Sequence, residues 1–488
     1  MLYDTIALSL TDIQTIILPY LRNAYKDNPF KKKSVVSHSM NLLRNKDINP
    51  TRTIVLGFMS VIVLGSLLLK LPVASADGIS VPYVDAFFTA SSAVAVTGLT
   101  VVDTGTHWSL FGQLTILLLI QIGGLGFMTM ITMFAMLIGK RISLKERLLI
   151  QSSLNQNDLS GVVRLTKYII IGTLAIEAVG ALLLSFVFVP ELGWAQGLWY
   201  SIFHAVSAFC NAGFDIIGGG RSLMPYVQNP LVNFTVWTLV ILGGLGFTVI
   251  IDIFFYRDNF RRWSLHTKLV LIISALLLLT GFVFYLILEW RNAATLGDLS
   301  LPGKFMAAFF QSVTPRTAGF NTLDTAALTD ASKLFTMIFM FIGGSPASTA
   351  GGIKTVTIGV VLFTILSQIQ GKEDTEVFRR RIPKGNINRA ITIIFLALIL
   401  VISITMILSI AETDFTFLEI IFETTSAFGT VGLSLGITPA LSTVGKILLS
   451  LLMFMGRVGP FTVALALAKS THKNQGKIRY PEDKVIIG

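Results

Sequence analysis

The chain has 488 residues, of which 53% are hydrophobic and 13% are charged. A soluble domain carries about 25% charged residues, so this composition argues against a soluble globular protein and predicts an integral membrane protein. The formal net charge is +11, but Lys and Arg lie mainly in short segments between apolar runs. That distribution argues against nucleic-acid binding and is typical of cytoplasmic loops.

Residues 1–50 are predicted to form a cytoplasmic N-terminal extension. The apolar stretch 5–21 is interrupted by Asp12 and Gln14 and lacks a small-residue cleavage site, so we predict no signal peptide. An apolar helical stripe followed by a lysine cluster at 31–33 favours a surface helix on anionic lipid. A disordered tail, or a true start at Met40, are the alternatives.

Eight apolar runs of about 20 residues or more predict spanning helices. They are residues 53–71, 110–138, 165–189, 231–255, 269–289, 334–370, 391–410 and 444–469. Between the two members of each successive pair lies an apolar segment too short to span, which predicts a re-entrant half-helix. Non-helical backbone at membrane depth survives only against protein or a water-filled cavity, so these segments indicate a pore.

Four segments align without gaps on one glycine, and each has a Phe ten residues before it. They are FTASSAVAVTGL (88–99), FHAVSAFCNAGF (203–214), FFQSVTPRTAGF (309–320) and FETTSAFGTVGL (422–433). Self-similarity of this kind is a fold-level signal. The fold class predicted is an all-α membrane protein with four repeats, each of helix, pore loop and helix, in a pseudo-fourfold arrangement around one pore.

The repeat divides the chain into six parts. Repeat 1 covers residues 51–140, repeat 2 covers 164–257, repeat 3 covers 267–371 and repeat 4 covers 388–470, with the extension 1–50 before them and a cytoplasmic tail, 471–488, after them. The second helix of repeat 3 is predicted to be broken, because the run GGSPASTAGGIKT (343–355) cannot hold a regular helix in lipid.

The aligned loops carry the chemistry of a cation filter. A dehydrated cation needs oxygen ligands, which backbone carbonyls supply where glycine permits the required conformation. The predicted potassium ligands are the backbones of Val96, Thr97, Gly98, Leu99, Asn211, Ala212, Gly213, Phe214, Thr317, Ala318, Gly319, Phe320, Thr430, Val431, Gly432 and Leu433. No filter position is acidic, so a carbonyl filter favours K⁺ over Na⁺.

These strings resemble those of the Ktr/Trk/HKT potassium-transporter superfamily. The phrases TGLTVVDTGTHWS (97–109), IQIGGLGFMT (120–129), TPRTAGFN (314–321), ETTSAFGTVGLSLGITP (423–439) and MGRVGPFTVALALAK (455–469) closely resemble the membrane subunit of bacterial Ktr uptake systems. The resemblance implies potassium uptake by a homodimer on a cytoplasmic ring of regulatory nucleotide-binding subunits. In this superfamily Ser at the first filter glycine goes with sodium permeation, and this chain has Gly98 there.

The resemblance also implies a gate beneath the filter. The gate residues it implies are Gly343, Gly344, Ser345, Ala347, Ser348, Thr349, Ala350, Gly351, Gly352, Lys354 and Arg457. Pro346 departs from the family's usual pattern and is expected to stiffen the loop. Arg457 is expected to limit cation passage and to anchor the loop, whereas a buried ion pair or a snorkelling side chain is the alternative. A purely structural break is the alternative for the loop.

Charge sets the predicted orientation and partners. Of the 38 Lys and Arg residues, 29 lie in segments 1–52, 139–167, 256–268, 371–389 and 469–488, which places both termini in the cytoplasm of a bacterial cell. The segment 371–386 mixes both signs, which favours a protein contact over lipid alone.

Other activities leave no pattern in the sequence. Cys210 is the only cysteine, and no His/Cys cluster, phosphate loop or catalytic set is found, so we expect no enzyme, no transition metal and no cofactor in this subunit. A coupled secondary transporter and a membrane-embedded enzyme remain the other hypotheses.

Overall fold

The structure, a computed structural model, describes residues 50–138, 142–153, 161–256, 260–467 and 481. Apart from Pro50 and Pro481, the predicted N-terminal extension and the predicted C-terminal tail lie outside the described residues. The described part contains eighteen α-helices and one short hairpin. The predicted all-α class with four repeated units is confirmed.

Each repeat consists of an outer helix, a half-helix and an inner helix in two parts. The outer helices are α1 (Pro50–Leu69), α7 (Val162–Leu192), α11 (Leu265–Glu289) and α15 (Lys384–Ala411), and the half-helices are α2 (Tyr83–Ala95), α8 (Trp194–Phe209), α12 (Leu301–Val313) and α16 (Phe417–Gly429). The inner helices are α4 (Leu110–Leu125) with α5 (Phe127–Leu137), α9 (Pro230–Leu245) with α10 (Phe247–Phe255), α13 (Asp330–Phe341) with α14 (Thr355–Ile369), and α17 (Thr443–Val458) with α18 (Pro460–Leu467).

Besides short 3₁₀ and π turns, the connections contain two α-helices and a hairpin. They are α3 (Thr104–His107), α6 (Leu144–Ser153) and a hairpin of β1 (Glu376–Val377) and β2 (Arg380–Arg381). The hairpin turns at Phe378 and Arg379, both with positive φ. The sequence patterns predicted none of these three elements, because α3 and the two strands have too few residues to display a hydrophobic period and six of the ten residues of α6 are polar.

A polar side chain caps the start of the inner helix in every repeat. Ser109, Asn229, Thr329 and Ser442 each accept a hydrogen bond from a backbone N–H in the first turn. Such a cap satisfies one of the N–H groups that the first helical turn leaves without a partner. The half-helix α16 also begins with a capping box between Thr416 and Glu419.

The inner helices of repeats 1, 2 and 4 are bent, where the sequence analysis predicts continuous spans over 110–138, 231–255 and 444–469. The bends are 103° after α4, 93° after α9 and 95° after α17. Each falls on a glycine with φ near +90°, namely Gly126, Gly246 or Gly459. That backbone conformation is open almost only to glycine, so the last glycine of each GGLGF or GRVGP mark makes the bend possible.

The outer helices give the chain its membrane character. All four are long and apolar enough to span a bilayer, and each of the three bent pairs could count as one further span. Their outward faces expose large apolar side chains, such as Leu64, Phe186, Leu279 and Ile402. In a bilayer those faces contact lipid, whereas the half-helices lie inside, where Phe88, Phe203 and Phe422 are fully buried.

Candidate functional site

The four aligned loops adopt one backbone conformation. The residue two before each glycine has a left-handed backbone, with φ of 60° at Val96, 61° at Asn211, 71° at Thr317 and 52° at Thr430. The glycines have φ of 92° at Gly98, 67° at Gly213, 78° at Gly319 and 94° at Gly432. A non-glycine residue in this region costs about 1–3 kcal/mol, so its occurrence at four equivalent positions indicates a conformation held for function.

The four glycines form a closed ring in chain order. A Cβ atom placed on Gly98 would lie 3.1 Å from the Cα of Gly213, and one on Gly213 would lie 2.8 Å from the Cα of Gly319. A Cβ on Gly319 would lie 3.3 Å from the Cα of Gly432, and one on Gly432 would lie 3.1 Å from the Cα of Gly98. Each glycine therefore faces the next repeat's glycine, and no side chain fits between them.

The nearest atoms to this ring are carbonyl oxygens. The first atom that a Cβ on each glycine would meet is the carbonyl oxygen of the residue before the neighbouring glycine. These oxygens belong to Thr97, Ala212, Ala318 and Val431. The turns thus place one peptide oxygen of each repeat against the glycine of a neighbouring repeat, and peptide oxygens are the groups that can replace a cation's hydration shell.

The N–H groups of the turns are bonded back to the half-helices. The N–H groups of Thr97, Ala212, Ala318 and Val431 donate to half-helix carbonyls over 2.7–3.0 Å. In repeats 1 and 4 the glycine N–H also donates to a serine hydroxyl, from Gly98 to Ser92 and from Gly432 to Ser426, at 3.1 Å each. Because these N–H groups are already bonded to the half-helix segments, the carbonyl oxygens of the turns are the groups best placed to bind a ligand, and such acceptors suit a cation.

Two of the sixteen predicted carbonyl ligands already accept a hydrogen bond from a side chain. The Ser207 hydroxyl donates to the Phe214 carbonyl at 2.7 Å, and the Thr314 hydroxyl donates to the Phe320 carbonyl at 2.6 Å. One lone pair on each of these oxygens is therefore already used. The sequence analysis missed these hydroxyl braces, although a Ser or Thr recurs six or five residues before every filter glycine.

The broken inner helix of repeat 3 packs directly beneath the turns. We call residues 342–354, between α13 and α14, the intramembrane loop. The N–H groups of Ser345 and Thr349 donate to the carbonyls of Gly244 and Gly243 at 3.0 and 3.2 Å, and the Thr349 hydroxyl donates to the Phe209 carbonyl at 3.1 Å. The loop is thus bonded both to the bend of the second repeat's inner helix and to the end of its half-helix.

Arg457 joins the intramembrane loop to the first and fourth repeats. From α17 its guanidinium donates to the carbonyl of Thr349 in the loop and to the carbonyls of Gly123 and Gly124, the last two at 2.5 and 3.1 Å. Lys354 donates to the Ala350 carbonyl at 2.6 Å. Within the described residues no carboxylate pairs with either cation, and the hydrogen bonds of both side chains go to peptide oxygens.

Other buried polar groups pack around the turns without reaching the ring. Glu177 accepts from the Gln121 amide at 3.3 Å, and Arg316 donates to the Ser274 hydroxyl at 3.1 Å. Glu423, on the half-helix α16, accepts from the Thr438 hydroxyl. His204 bonds the Tyr200 carbonyl at 2.7 Å among aromatic rings, which fits a packed side chain. No cluster of metal ligands occurs among the described residues.

Two carboxylates lie in the loops that follow the first two filter turns. Asp215, two residues after Gly213, accepts from the Ile217 N–H at 3.2 Å. Burial and the nearby Asp103 carboxylate raise the pKa of Asp215 to about 6. Although burial opposes it, hydrogen bonds from the N–H groups of Gly220 and Thr106 hold the pKa of Asp103 below its usual range. The sequence analysis passed over both residues.

Comparison with known proteins finds a consistent set of relatives. The family model described as "TrkH: Cation transport protein" matches residues 35–477. The chain is 45% identical to Ktr system potassium uptake protein B of Bacillus subtilis, over 90% of this chain and 97% of that protein. It is 43% identical to potassium/sodium uptake protein NtpJ of Enterococcus hirae, over 91% of this chain and 98% of that one.

A solved structure matches the fold. The potassium transporter TrkH from Vibrio parahaemolyticus superposes with a TM-score of 0.70 at 19% identity, covering 88% of this chain and 87% of that one.

Proposed function

This chain belongs to the TrkH family of cation transport proteins, and from that premise we propose that it takes up potassium through a carbonyl filter. It is therefore a multi-pass membrane transporter and not an enzyme. Its relatives named Ktr system potassium uptake protein B, from Bacillus subtilis and Vibrio alginolyticus, are 45% and 41% identical to it. Identity at this level over nine tenths of the chain supports the same cation.

One observation carries the proposal. The four turns around Gly98, Gly213, Gly319 and Gly432 form a single ring with carbonyl oxygens as its nearest atoms. A ring of neutral peptide oxygens favours a large monovalent cation over a small one or an anion. The proposed ligands are the sixteen filter residues predicted from the sequence, with Phe214 and Phe320 the weakest because hydroxyl groups already occupy their carbonyls.

The intramembrane loop is the proposed gate. Its small residues and its hydrogen bonds to peptide carbonyls would allow it to move without breaking a core of large side chains. Arg457 and Lys354 add positive charge beside it, which opposes the passage of a cation. Movement of the loop, together with Arg457, would open the path below the filter.

The assembly proposed is a homodimer on a cytoplasmic ring of regulatory nucleotide-binding subunits, with both termini in the cytoplasm of the bacterial plasma membrane. The relatives named as Ktr system proteins support a multi-component system. The excess of Lys and Arg in the connecting segments supports the orientation. The division into four repeats between 51 and 470, with an extension and a tail, belongs to the same proposal.

Sodium is the second candidate cation, since the relative from Enterococcus hirae is named a potassium/sodium uptake protein. All four filter turns of this chain carry glycine, which favours potassium.

Growth of a potassium-transport-deficient bacterial host on limiting potassium tests the proposal. We expect the chain, expressed with a Ktr regulatory subunit, to rescue growth at low K⁺, and expect potassium-loaded liposomes containing it to release K⁺ down its gradient. Failure to rescue with protein present in the membrane would contradict potassium uptake. Rescue without any passive flux in liposomes would instead favour a coupled carrier.

A further inference from the structure

The ring of four repeats has one seam that the chain does not cross. Repeats 1 and 2, 2 and 3, and 3 and 4 are joined by connecting segments, but repeat 4 meets repeat 1 only through non-covalent contacts. At that seam Gly432 faces Gly98, and the filter closes there. Whatever fixes the position of α16 relative to α2 therefore also fixes the last side of the filter.

The first two junctions are each bridged by a glutamine. The indole N–H of Trp199 donates to the Gln113 amide oxygen at 2.8 Å, which joins repeat 2 to repeat 1. The Ser300 hydroxyl donates to the Gln228 amide oxygen at 2.6 Å, which joins repeat 3 to repeat 2. Each glutamine lies fifteen residues after its filter glycine. The contact thus recurs between the start of one inner helix and the half-helix segment of the next repeat.

At the junctions between repeats 3 and 4 and between repeats 4 and 1, a lysine and a carboxylate residue occur near the positions that the glutamine and its partner have at the first two junctions. Lys333 and Lys446 each lie fourteen residues after a filter glycine, and Glu419 and Asp85 each lie thirteen residues before the next one around the ring. At the covalently linked junction Lys333 bonds Asp330 instead, at 3.5 Å, while the Glu419 carboxylate caps its own helix at Thr416. At the seam Lys446 and Asp85 pair directly at 2.8 Å.

The seam pair is also shielded from water. The side chains of Lys446 and Asp85 are 15% and 16% exposed; Lys333 is equally shielded at 15%, but its partner Asp330 is 85% exposed, so only at the seam are both charges shielded. A lysine in the first turn of α17 is disfavoured by the helix dipole, and an aspartate in the first turn of α2 is favoured by it. Loss of Asp85 would therefore leave Lys446 both unpaired and in an unfavourable place, so it is the more damaging change.

The helix α17 transmits this contact to the filter. Its first turn holds α2 through Lys446, and near its other end a Cβ on Gly456 would meet the carbonyl of Phe428 at the end of α16. The same rigid helix thus contacts the two half-helices whose turns carry Gly98 and Gly432.

We propose that the Asp85–Lys446 pair is a positioning clasp that closes the seam between the fourth and first repeats and so sets the filter's selectivity for K⁺. This inference rests on the proposed function of the ring. The two residues touch no ion in this account. They act by holding α2 and α17 at the spacing that the filter turns require.

A charge-reversal cycle tests the clasp. Asp85→Asn, Lys446→Gln, Asp85→Lys and the double variant Asp85→Lys with Lys446→Asp would be compared with wild type for Rb⁺ and Na⁺ uptake and for melting temperature. We expect the single variants to lower the Rb⁺/Na⁺ ratio by at least about threefold, with Asp85→Asn worse than Lys446→Gln, and the reversed pair to recover most of it. Lys333→Gln is the matched control and should keep the wild-type ratio, because Lys333 is equally shielded but bonds the exposed Asp330 of its own helix rather than a residue of the next repeat.

Two outcomes would overturn the clasp. A wild-type Rb⁺/Na⁺ ratio in the single variants, with only the melting temperature lowered, would leave the pair a purely structural contact. A reversed pair no better than Asp85→Lys alone would show that no coupling exists. If the wild-type chain took up no Rb⁺, the proposed function itself would be contradicted. If the wild type and the single variants took up Rb⁺ with the same Rb⁺/Na⁺ ratio, only the clasp would be contradicted.

Discussion

Val96, Asn211, Thr317 and Thr430 have different side chains but share a left-handed backbone. At this scale the glycines could be predicted, because a gap-free alignment marks them. The left-handed residue two positions earlier could not, since valine and threonine ordinarily avoid that conformation. It is imposed by the half-helix, whose carbonyls and hydroxyls capture the N–H groups that follow.

The carboxyl group of Asp215 is expected to make the KM for K⁺ depend on pH. With its pKa at about 6, this carboxyl is charged at pH 7.5 and mostly neutral at pH 5. A negative charge two residues beyond Gly213 attracts cations to the filter. We therefore expect the KM for K⁺ to rise several-fold as the pH falls from 7.5 to 5 on the side of the membrane from which Asp215 is accessible.

Asp215→Asn should raise KM at pH 7.5 and flatten this dependence, measured as Rb⁺ uptake in whole cells. Asp77→Asn, an exposed carboxylate in repeat 1, is the control and should keep it. An unchanged pH profile in Asp215→Asn would contradict the assignment.

The sequence predicted the inner helices and their order but not their bends. Their existence and order follow from apolar runs, and the break in repeat 3 follows from its Gly- and Ser-rich stretch. The bends at Gly126, Gly246 and Gly459 did not follow, because one glycine in an apolar helix is tolerated at about 1 kcal/mol and does not by itself mark a break. Only the fact that these three glycines occupy the same position in three repeats could have indicated the bends.

The proposed gating role of the intramembrane loop is tested by substitution of Arg457. Removal of its guanidinium deletes a positive charge and the hydrogen bonds to Thr349, Gly123 and Gly124. We expect Arg457→Ala to raise passive K⁺ flux in liposomes by about tenfold, which corresponds to a barrier lower by about 1.4 kcal/mol.

Arg457→Lys should raise flux less, because it keeps the charge but loses the forked geometry that reaches several carbonyls. Flux that falls or stays level in Arg457→Ala, with the protein folded, would argue for a structural arginine only.

At the scale of the whole molecule, the order of the repeats around the ring is the same as their order along the chain. The near-regular spacing of the filter glycines predicted four units about one axis. The contact that closes the ring could not be predicted in the same way, because Asp85 and Lys446 are 361 positions apart and each looks like a surface charge in isolation. Their equivalence to Glu419 and Lys333 appears only once the repeats are superposed.

The ring itself is tested most directly by the Rb⁺/Na⁺ uptake ratio of four variants, Gly98→Ser, Gly213→Ser, Gly319→Ser and Gly432→Ser. Gly78→Ser and Gly436→Ser are matched controls, since both glycines also have positive φ but have nothing within 4 Å. We predict that the ratio falls by about tenfold or more in each of the four and stays within about twofold in the controls. A ratio that remains at the wild-type value in any of the four, with Rb⁺ uptake intact, would contradict a single filter built from all four turns.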